Sequence, residues 1–131
     1  MAHSYFLSVE FDGWYDTIDV IRALLRQGWK IYEVEYEVLK TPLDTDVETE
    51  VLKSSLVKDD LSTEFNARTD DNEFLSSFYI DNGVVSVLLP GEFGSSLRVL
   101  NSPDLNFWVE IIVGPLVSSN LRIAKFSIEY R

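Results

Sequence analysis

The pattern of apolar and polar residues begins with a simple alternation near the N-terminus. Residues 4–11, SYFLSVEF, place Tyr5, Leu7, Val9 and Phe11 on one side of an extended chain. A period of two is typical of a strand with one buried face. The sequence therefore predicts a first β-strand at this position.

The following segment, residues 12–28, changes to the period of an α-helix. Its apolar residues recur at intervals of four, three and four positions: Trp14, Ile18, Ile21 and Leu25. This spacing lines one side of a helix and leaves polar residues on the other. We predict a helix that is capped at its start by Asp12 and that ends at Gly28 in the left-handed conformation.

Two acidic stretches follow, one on each side of Pro42. YEVEYEV, residues 32–38, and DTDVETEV, residues 44–51, both alternate an apolar or β-branched residue with an acid. As the two strands of one hairpin, they would carry seven carboxylates on one face: Glu33, Glu35, Glu37, Asp44, Asp46, Glu48 and Glu50. We take this acidic face as the candidate partner-binding site.

Residues 42–57 also have an interpretation as a helix. Thr41 is a suitable cap, and Pro42 suits the first turn of a helix. Such a helix would, however, separate its later leucines from the other apolar residues of the segment. Alternate positions from Thr45 to Val51 are β-branched, which favours a pleated surface. We therefore predict a strand here and keep the helix as the alternative.

The predicted hairpin sets like charges opposite each other. With the turn at Thr41 and Pro42, its register forms three facing pairs: Glu37 with Asp46, Glu35 with Glu48, and Glu33 with Glu50. Like charges directly opposite on neighbouring strands are destabilising, by about 0.2–1 kcal/mol a pair. We interpret such a cost as a mark of function, relieved by a basic partner or by nearby lysines.

The rest of the chain completes the predicted fold. Over 54–72 the periodicity fades, and we predict a long loop or a loop with one short helix. The Asn-Gly pair at 82–83 predicts a tight hairpin turn, and residues 106–113 and 121–130 predict two more strands. The result is a single α+β domain with a largely antiparallel sheet of about six or seven strands. One dominant N-terminal helix packs on this sheet, and the chain opens strand, helix, strand.

Charge changes this picture because it is concentrated in one part of the chain. The net charge is −11, and residues 31–73 hold 13 acids and 4 bases. An acidic surface repels nucleic acid and anionic membranes and attracts basic proteins. We therefore expect a basic protein partner, and no direct binding to nucleic acid or to a membrane.

Candidate catalytic and metal-binding residues are few. The absence of cysteine excludes disulfides, zinc-thiolate sites and cysteine nucleophiles, and it fits a reducing compartment such as the cytoplasm. His3 is the only histidine, and no motif gives it a catalytic partner. DTDVET resembles the start of a calcium loop, but Thr49 and Ser55 stand where Gly and Glu are required. We expect no catalytic residue, no cofactor and no dedicated metal site.

These observations favour a non-enzymatic binding protein. Small size, acidity and the lack of catalytic residues are features shared with bacterial immunity proteins as a class. This is a similarity of general properties and not of sequence. We expect an inhibitor or immunity-type protein that blocks a basic toxin or nuclease through the acidic hairpin face. The alternatives are a nucleic-acid mimic, a carboxylate-dependent hydrolase or divalent-cation-binding protein, and an assembly subunit that uses its sheet edges. The sequence leaves the oligomeric state open.

Overall fold

The computed structural model describes most of the chain. The described residues are 4–13, 15–35, 37–56, 62–71, 75–81, 83–89, 98–99, 102–103 and 105–130. The strands are β1 (Tyr5–Phe11), β2 (Lys30–Val34), β3 (Glu37–Leu43), β4 (Ser62–Arg68), β5 (Ser76–Asp81), β6 (Val84–Leu88), β7 (Arg98–Val99), β8 (Ser102–Pro103) and β9 (Ile123–Tyr130). The helices are α1 (Thr17–Arg26), α2 (Thr49–Leu56) and α3 (Leu105–Ser118).

Seven of the strands form one antiparallel sheet in the order β3-β2-β4-β5-β6-β1-β9. β7 and β8 pair separately. The predicted α+β class is confirmed, and so is the strand, helix, strand opening. β1 and β2 are not neighbours in the sheet, because β4, β5 and β6 lie between them. β3 and β9 are the two edge strands.

The three helices contribute to one core against one face of the sheet. Alternate residues of the central strands are buried together with residues from each helix in a single apolar cluster. From the strands, this cluster includes Leu7, Val9, Phe65, Phe78, Val85 and Val87. From the helices, it includes Ile21, Leu25, Leu52, Leu56, Trp108 and Ile112. The intervening strand positions, such as Ser8, Asn66 and Ser86, are polar and half-buried, and they form the open face of the sheet.

α1 begins later than the sequence predicts. Asp16 is its cap, and the Asp16 side chain accepts a hydrogen bond from the backbone N–H of Ile18 at 2.9 Å. The predicted cap, Asp12, instead donates its backbone N–H to the Arg122 carbonyl at 2.8 Å. This bond joins the end of β1 to the residue before β9. Gly28 follows the helix with a φ of +98°, so the predicted left-handed conformation is confirmed.

The hairpin predicted at Asn82 and Gly83 is confirmed by its flanking strands. Asp81 at the end of β5 pairs with Val84 at the start of β6. Gly83 has a φ of +84°, as tight hairpin turns require. Asn82 itself, like Trp14, lies outside the described residues.

The prediction for 54–72, a long loop or a loop with one short helix, is wrong for residues 62–68, which form β4. The last turn of α2 also lies in this segment, as the short-helix alternative allows. On β4, Thr63, Phe65 and Ala67 are buried and alternate with half-buried polar residues. Threonine and alanine are weak markers of a buried face, so the sequence pattern hides the period of two. Residues 57–61 lie outside the described residues.

The strand predicted at 106–113 is also wrong, because these residues lie in α3. The segment is mostly apolar, with Glu110 as its one charged residue, and short apolar segments suit a buried strand and a buried helix alike. The structure buries Trp108, Ile112 and Leu116 completely, at four-residue spacing along one side of the helix. Pro115, a residue that usually ends a helix, lies inside α3.

A hydrogen bond from outside α3 compensates for Pro115. Proline has no backbone N–H, so the carbonyl of Ile111, four residues earlier, loses its partner in the helix. The indole Nε1–H of the buried Trp29 donates to that carbonyl at 2.5 Å. The Trp29 ring also packs edge-on against Phe78 of β5, with 4.9 Å between centroids. One side chain thus links α3 to the sheet.

Candidate functional site

The structure separates the seven predicted acids into two groups. The first acidic group is Glu33, Glu35 and Glu37; the second acidic group is Asp44, Asp46, Glu48 and Glu50. The chain reverses between Val34 and Glu37, and β3 pairs with β2 through Val34 with Glu37 and Glu33 with Val38. The predicted facing pairs are therefore wrong: Glu37 with Asp46, Glu35 with Glu48, and Glu33 with Glu50. The repulsion expected from them does not arise.

Glu35 occupies the turn between β2 and β3. Its φ is +49°, in the left-handed region that residues other than glycine rarely adopt. Its backbone N–H donates to the Glu64 carbonyl at 3.2 Å, so the hydrogen bonds between β2 and β4 continue into the turn. Glutamate is not a typical residue of a tight hairpin turn, in contrast to asparagine and glycine. Pairing with β4, which lies far along the chain, supports a reversal that the local sequence does not predict.

Residues 44–48 form a tight turn instead of a strand. The Oδ1 of Asp44 accepts a hydrogen bond from the backbone N–H of Asp46 at 2.9 Å. The Asp44 carbonyl accepts a second hydrogen bond, from the N–H of Val47, at 3.3 Å. Aspartate favours such turns because its short side chain reaches the backbone two residues on. The strand predicted over 44–51 is therefore wrong.

α2 starts directly after this turn. The N–H of Leu52 donates to the Glu48 carbonyl at 3.1 Å, in the first turn of the helix. Leu52 and Leu56 are buried in the core, so tertiary packing stabilises the helix despite its weak amphipathic pattern. The alternative prediction of a helix in this segment is confirmed, but α2 is shorter than the predicted range 42–57. The second acidic group consequently surrounds a helix N-terminus, where the helix dipole favours negative charge.

Arg22 of α1 holds the turn in place. Its Nη1 donates to the carbonyls of Val47 at 2.7 Å and Thr45 at 3.3 Å. Its Nη2 donates to the Oγ1 of Thr49 at 3.1 Å. A guanidinium carries several donors in a fixed plane and can bind three acceptors at once. Sequence reasoning missed this role of Arg22, because no local motif marks a contact between α1 and the turn.

Two of the seven carboxylates are half-buried, and both have hydrogen-bond partners. Asp44 bonds within its own turn. Glu33 accepts a hydrogen bond from the Nδ2 of Asn66 at 2.5 Å, and the Oδ1 of Asn66 accepts one from the Oγ of Ser77 at 2.7 Å. This chain of side chains crosses β2, β4 and β5 on the open face of the sheet. Asn66 and Ser77 were not predicted from the sequence, where neither lies in a motif.

The other five carboxylates are exposed and border the edge strand β3. We call them the acidic edge: Glu35, Glu37, Asp46, Glu48 and Glu50. Glu35 lies in the turn before β3 and Glu37 at its start, whereas the other three follow its end. The two ends of a strand of this length are about 20 Å apart. Lys40 and Pro42 lie between them, and these residue types discourage the addition of another strand. Backbone pairing of a further strand with β3 is therefore disfavoured.

Other candidate sites in the described part of the chain are limited. A shallow depression of about 300 Å³ is lined by Tyr15, Asp19, Arg22, Arg26, Ser119, Asn120 and Leu121, and by none of the seven acids. Among the described residues, no group of three or more histidine, cysteine, aspartate or glutamate side chains could hold a metal ion. No helix in the same residues is long and apolar enough to cross a membrane. His3 lies outside the described residues.

Comparison with known proteins assigns no family to this chain. No protein-family model matches it, and no curated protein or solved structure gives a match. The geometry of the acidic edge is therefore the basis of its proposed function.

Proposed function

We propose that the protein is a non-enzymatic binding protein whose acidic edge docks on a basic surface of a partner protein. The partner is a basic toxin or nuclease, which the protein blocks in the cytoplasm as an inhibitor or immunity-type protein. One observation carries the proposal: five exposed carboxylates border one edge strand. Three of them lie in or just after the turn that Arg22 attaches to α1.

The requirements of folding explain only part of this acidity. A helix dipole favours acids in the first turn of the helix, and its effect falls off within that turn. It accounts for Glu48 and Glu50 at the start of α2. It does not account for Glu35 and Glu37, which lie at the opposite end of β3. Acids at both ends of the strand therefore support a role in binding.

The contacts of Arg22 make the second acidic group a preorganised surface. Two hydrogen bonds hold the backbone of the turn against α1, and a third holds the side chain of Thr49 at the start of α2. A partner then meets carboxylates whose backbone is already ordered, so less conformational entropy is lost on binding. Fixed charges of one sign also steer a basic partner and increase its association rate.

The layout of the acidic edge supports a partner with two basic patches. The two acidic ends lie about 20 Å apart, and the exposed Lys40 lies between them. A groove that holds about six base pairs of duplex DNA has a similar length, because each base pair adds about 3.4 Å. This agreement in length supports a nuclease, or another nucleic-acid-binding protein, as the partner.

The test compares two variants that lose the same charge. D46N/E48Q removes one aspartate and one glutamate from the acidic edge, whereas D71N/E110Q removes one of each from exposed positions elsewhere. Immobilised wild-type protein retains partners from a lysate of the source cells, and each purified partner is then measured for its association rate with all three proteins. We expect slower association for D46N/E48Q only, and a rate that falls steeply with salt because exposed charges are screened.

Three results would contradict the proposal. Equal losses in both variants would show that net charge alone matters. An affinity that stays constant with salt would place the interface on apolar surface elsewhere. Chelator-sensitive hydrolysis that Asp46→Asn abolishes would favour the carboxylate-dependent enzyme instead.

A further inference from the structure

β9, at the other edge of the sheet, lacks the features that protect β3. It runs for eight residues, Ile123–Tyr130, and among the described strands it pairs only with β1. It contains no proline, and its single irregularity lies at its start, where the register shifts between Glu10 and Phe11 of β1. Long, regular edge strands present unpaired backbone groups that another strand can join.

The core-side residues of β9 are only partly covered. Phe126 pairs with Val9 and Tyr130 pairs with Tyr5, so both rings lie on the face that the helices cover elsewhere. Val9 is fully buried, yet Phe126 is 47% exposed and Tyr130 is 60% exposed. The apolar layer of the core thus extends to this edge without being closed there by the described residues.

We propose that β9 is the interface of a homodimer, in which two copies pair edge to edge around a twofold axis at Ser127. In an antiparallel pair, residues directly opposite lie on the same face of the sheet. Centring the pair on Ser127 sets Lys125 opposite the partner's Glu129 and Phe126 opposite the partner's Ile128. By symmetry each contact occurs twice, which gives two ion pairs on the open face and two apolar pairs on the core face.

The neighbouring registers lack this complementarity. A register centred on Phe126 sets Lys125 opposite the partner's Ser127. A register centred on Ile128 sets Lys125 opposite a position beyond the end of β9. Only the pairing at Ser127 matches basic with acidic residues, and opposite charges on facing strands stabilise a sheet. β9 therefore carries a surface that is complementary to itself.

The dimer goes beyond the proposed function and does not depend on it. β3 and β9 are opposite edges of the seven-stranded sheet. Pairing through β9 joins two such sheets and leaves the acidic edge of each copy at an outer end. Each dimer would then present two separate acidic edges to partners.

Charge reversal provides the sharpest test, with molar mass measured by sedimentation or light scattering. We expect wild-type protein to have twice the 15.0 kDa mass of the chain. K125E would set four acids at the interface and E129K would set four bases, so each variant alone would be monomeric. Mixed in equal amounts, the two variants would form a heterodimer, because each acidic position then faces a lysine. The double variant K125E/E129K would also dimerise.

Folding is monitored by circular dichroism and thermal melting. Lys125 Nζ lies 3.8 Å from Glu10 Oε2, which is directly opposite on β1, so K125E also replaces a weak internal ion pair with two facing acids. Glu129 lies opposite Phe6, so E129K creates no like-charge pair across β1. A wild-type protein that is monomeric at its highest soluble concentration would overturn the proposal. So would a dimer that both charge variants leave intact.

A single cysteine tests the register itself. The chain has no cysteine, and Ser127→Cys would place two thiols opposite each other at the twofold axis. We expect mild oxidation to give a disulfide-linked dimer, because facing Cβ atoms in a sheet lie close to disulfide range. Ser86→Cys on the central strand β6 is the control and should remain monomeric after oxidation. Equal cross-linking of the two variants would contradict the register.

Discussion

Thr63 and Thr69 are both buried, but only one of the two hydroxyls is hydrogen-bonded within the described residues. Thr63 is 3% exposed, and its Oγ1 donates to the Leu56 carbonyl at 2.8 Å. That carbonyl belongs to the last residue of α2, where helical partners run out. Thr69 is 8% exposed, and its Oγ1 has no partner in the described part of the chain. A buried hydroxyl destabilises the fold unless it forms a hydrogen bond.

Replacing each threonine with valine is therefore expected to have different effects. Thr63→Val should lower the free energy of unfolding by about 1–3 kcal/mol, because it leaves a buried carbonyl without a donor. Thr69→Val removes a hydroxyl that bonds to nothing described, and it should be neutral or stabilising. Urea denaturation of the two variants and the wild type checks this. Similar losses in both variants would show that the Thr63 hydrogen bond contributes little.

The hydrogen bond between Trp29 and α3 can be tested by a double-mutant cycle with Pro115. Trp29→Phe should destabilise the wild type, since it leaves the Ile111 carbonyl unsatisfied. In a Pro115→Ala background, residue 115 regains an N–H that can bond to the same carbonyl, so Trp29→Phe should cost less. We expect a coupling energy of about 1–2 kcal/mol from the double-mutant cycle, measured by denaturant unfolding. The same cost in both backgrounds would contradict this explanation of Pro115.

At the scale of elements, the link between α1 and α2 depends on the side chain of Arg22. Hydrogen bonds to a charged group typically contribute about 1.5–3 kcal/mol. Of the three that Arg22 forms, the one to the Val47 carbonyl is partly buried and the other two are exposed. Arg22→Met should therefore lower stability and release the turn at 44–48 from α1. Amide hydrogen exchange should become faster at Val47 and Leu52, while exchange in the central strands changes less.

Arg26→Met is the matched control for Arg22→Met. Arg26 lies one turn later on α1 and is exposed. Arg26→Met should leave amide hydrogen exchange in the turn at 44–48 unchanged. If both variants speed up exchange equally, the loss of positive charge rather than the three hydrogen bonds is responsible.

The whole molecule carries a net charge of −11, and repulsion among its acids opposes folding. We expect the melting temperature to rise when salt is added at fixed protein concentration, because screening shortens the range of repulsion to about 8 Å at physiological ionic strength. D46K/E48K raises the net charge by four units, because two acids become two bases, and it should show a smaller rise. A melting temperature that falls with salt would show that ion pairs outweigh the repulsion.

Elements with a complete local signal could be predicted from the sequence. β1 and the main face of α1 follow from their apolar periods, and Gly83 marks the β5–β6 turn. β9 follows from alternating residues in the same way. The concentration of acids between residues 31 and 73 is likewise a property of the sequence alone. In each case the deciding residues lie within one element, so no distant contact is needed to identify it.

Tertiary structure decided the arrangement of the acids and the state of the ambiguous segments. Pairing with β4 supports the turn at Glu35. The hydrogen bond from the Arg22 guanidinium to the Val47 carbonyl stabilises residues 44–48 as a turn and not as an extended strand. The indole of Trp29 compensates for the proline in α3. These contacts join residues more than twenty positions apart, and short apolar or acidic runs suit a helix and a strand about equally well. The balance is then settled by which partner lies nearby in the folded chain, and that information is absent from any single stretch of sequence.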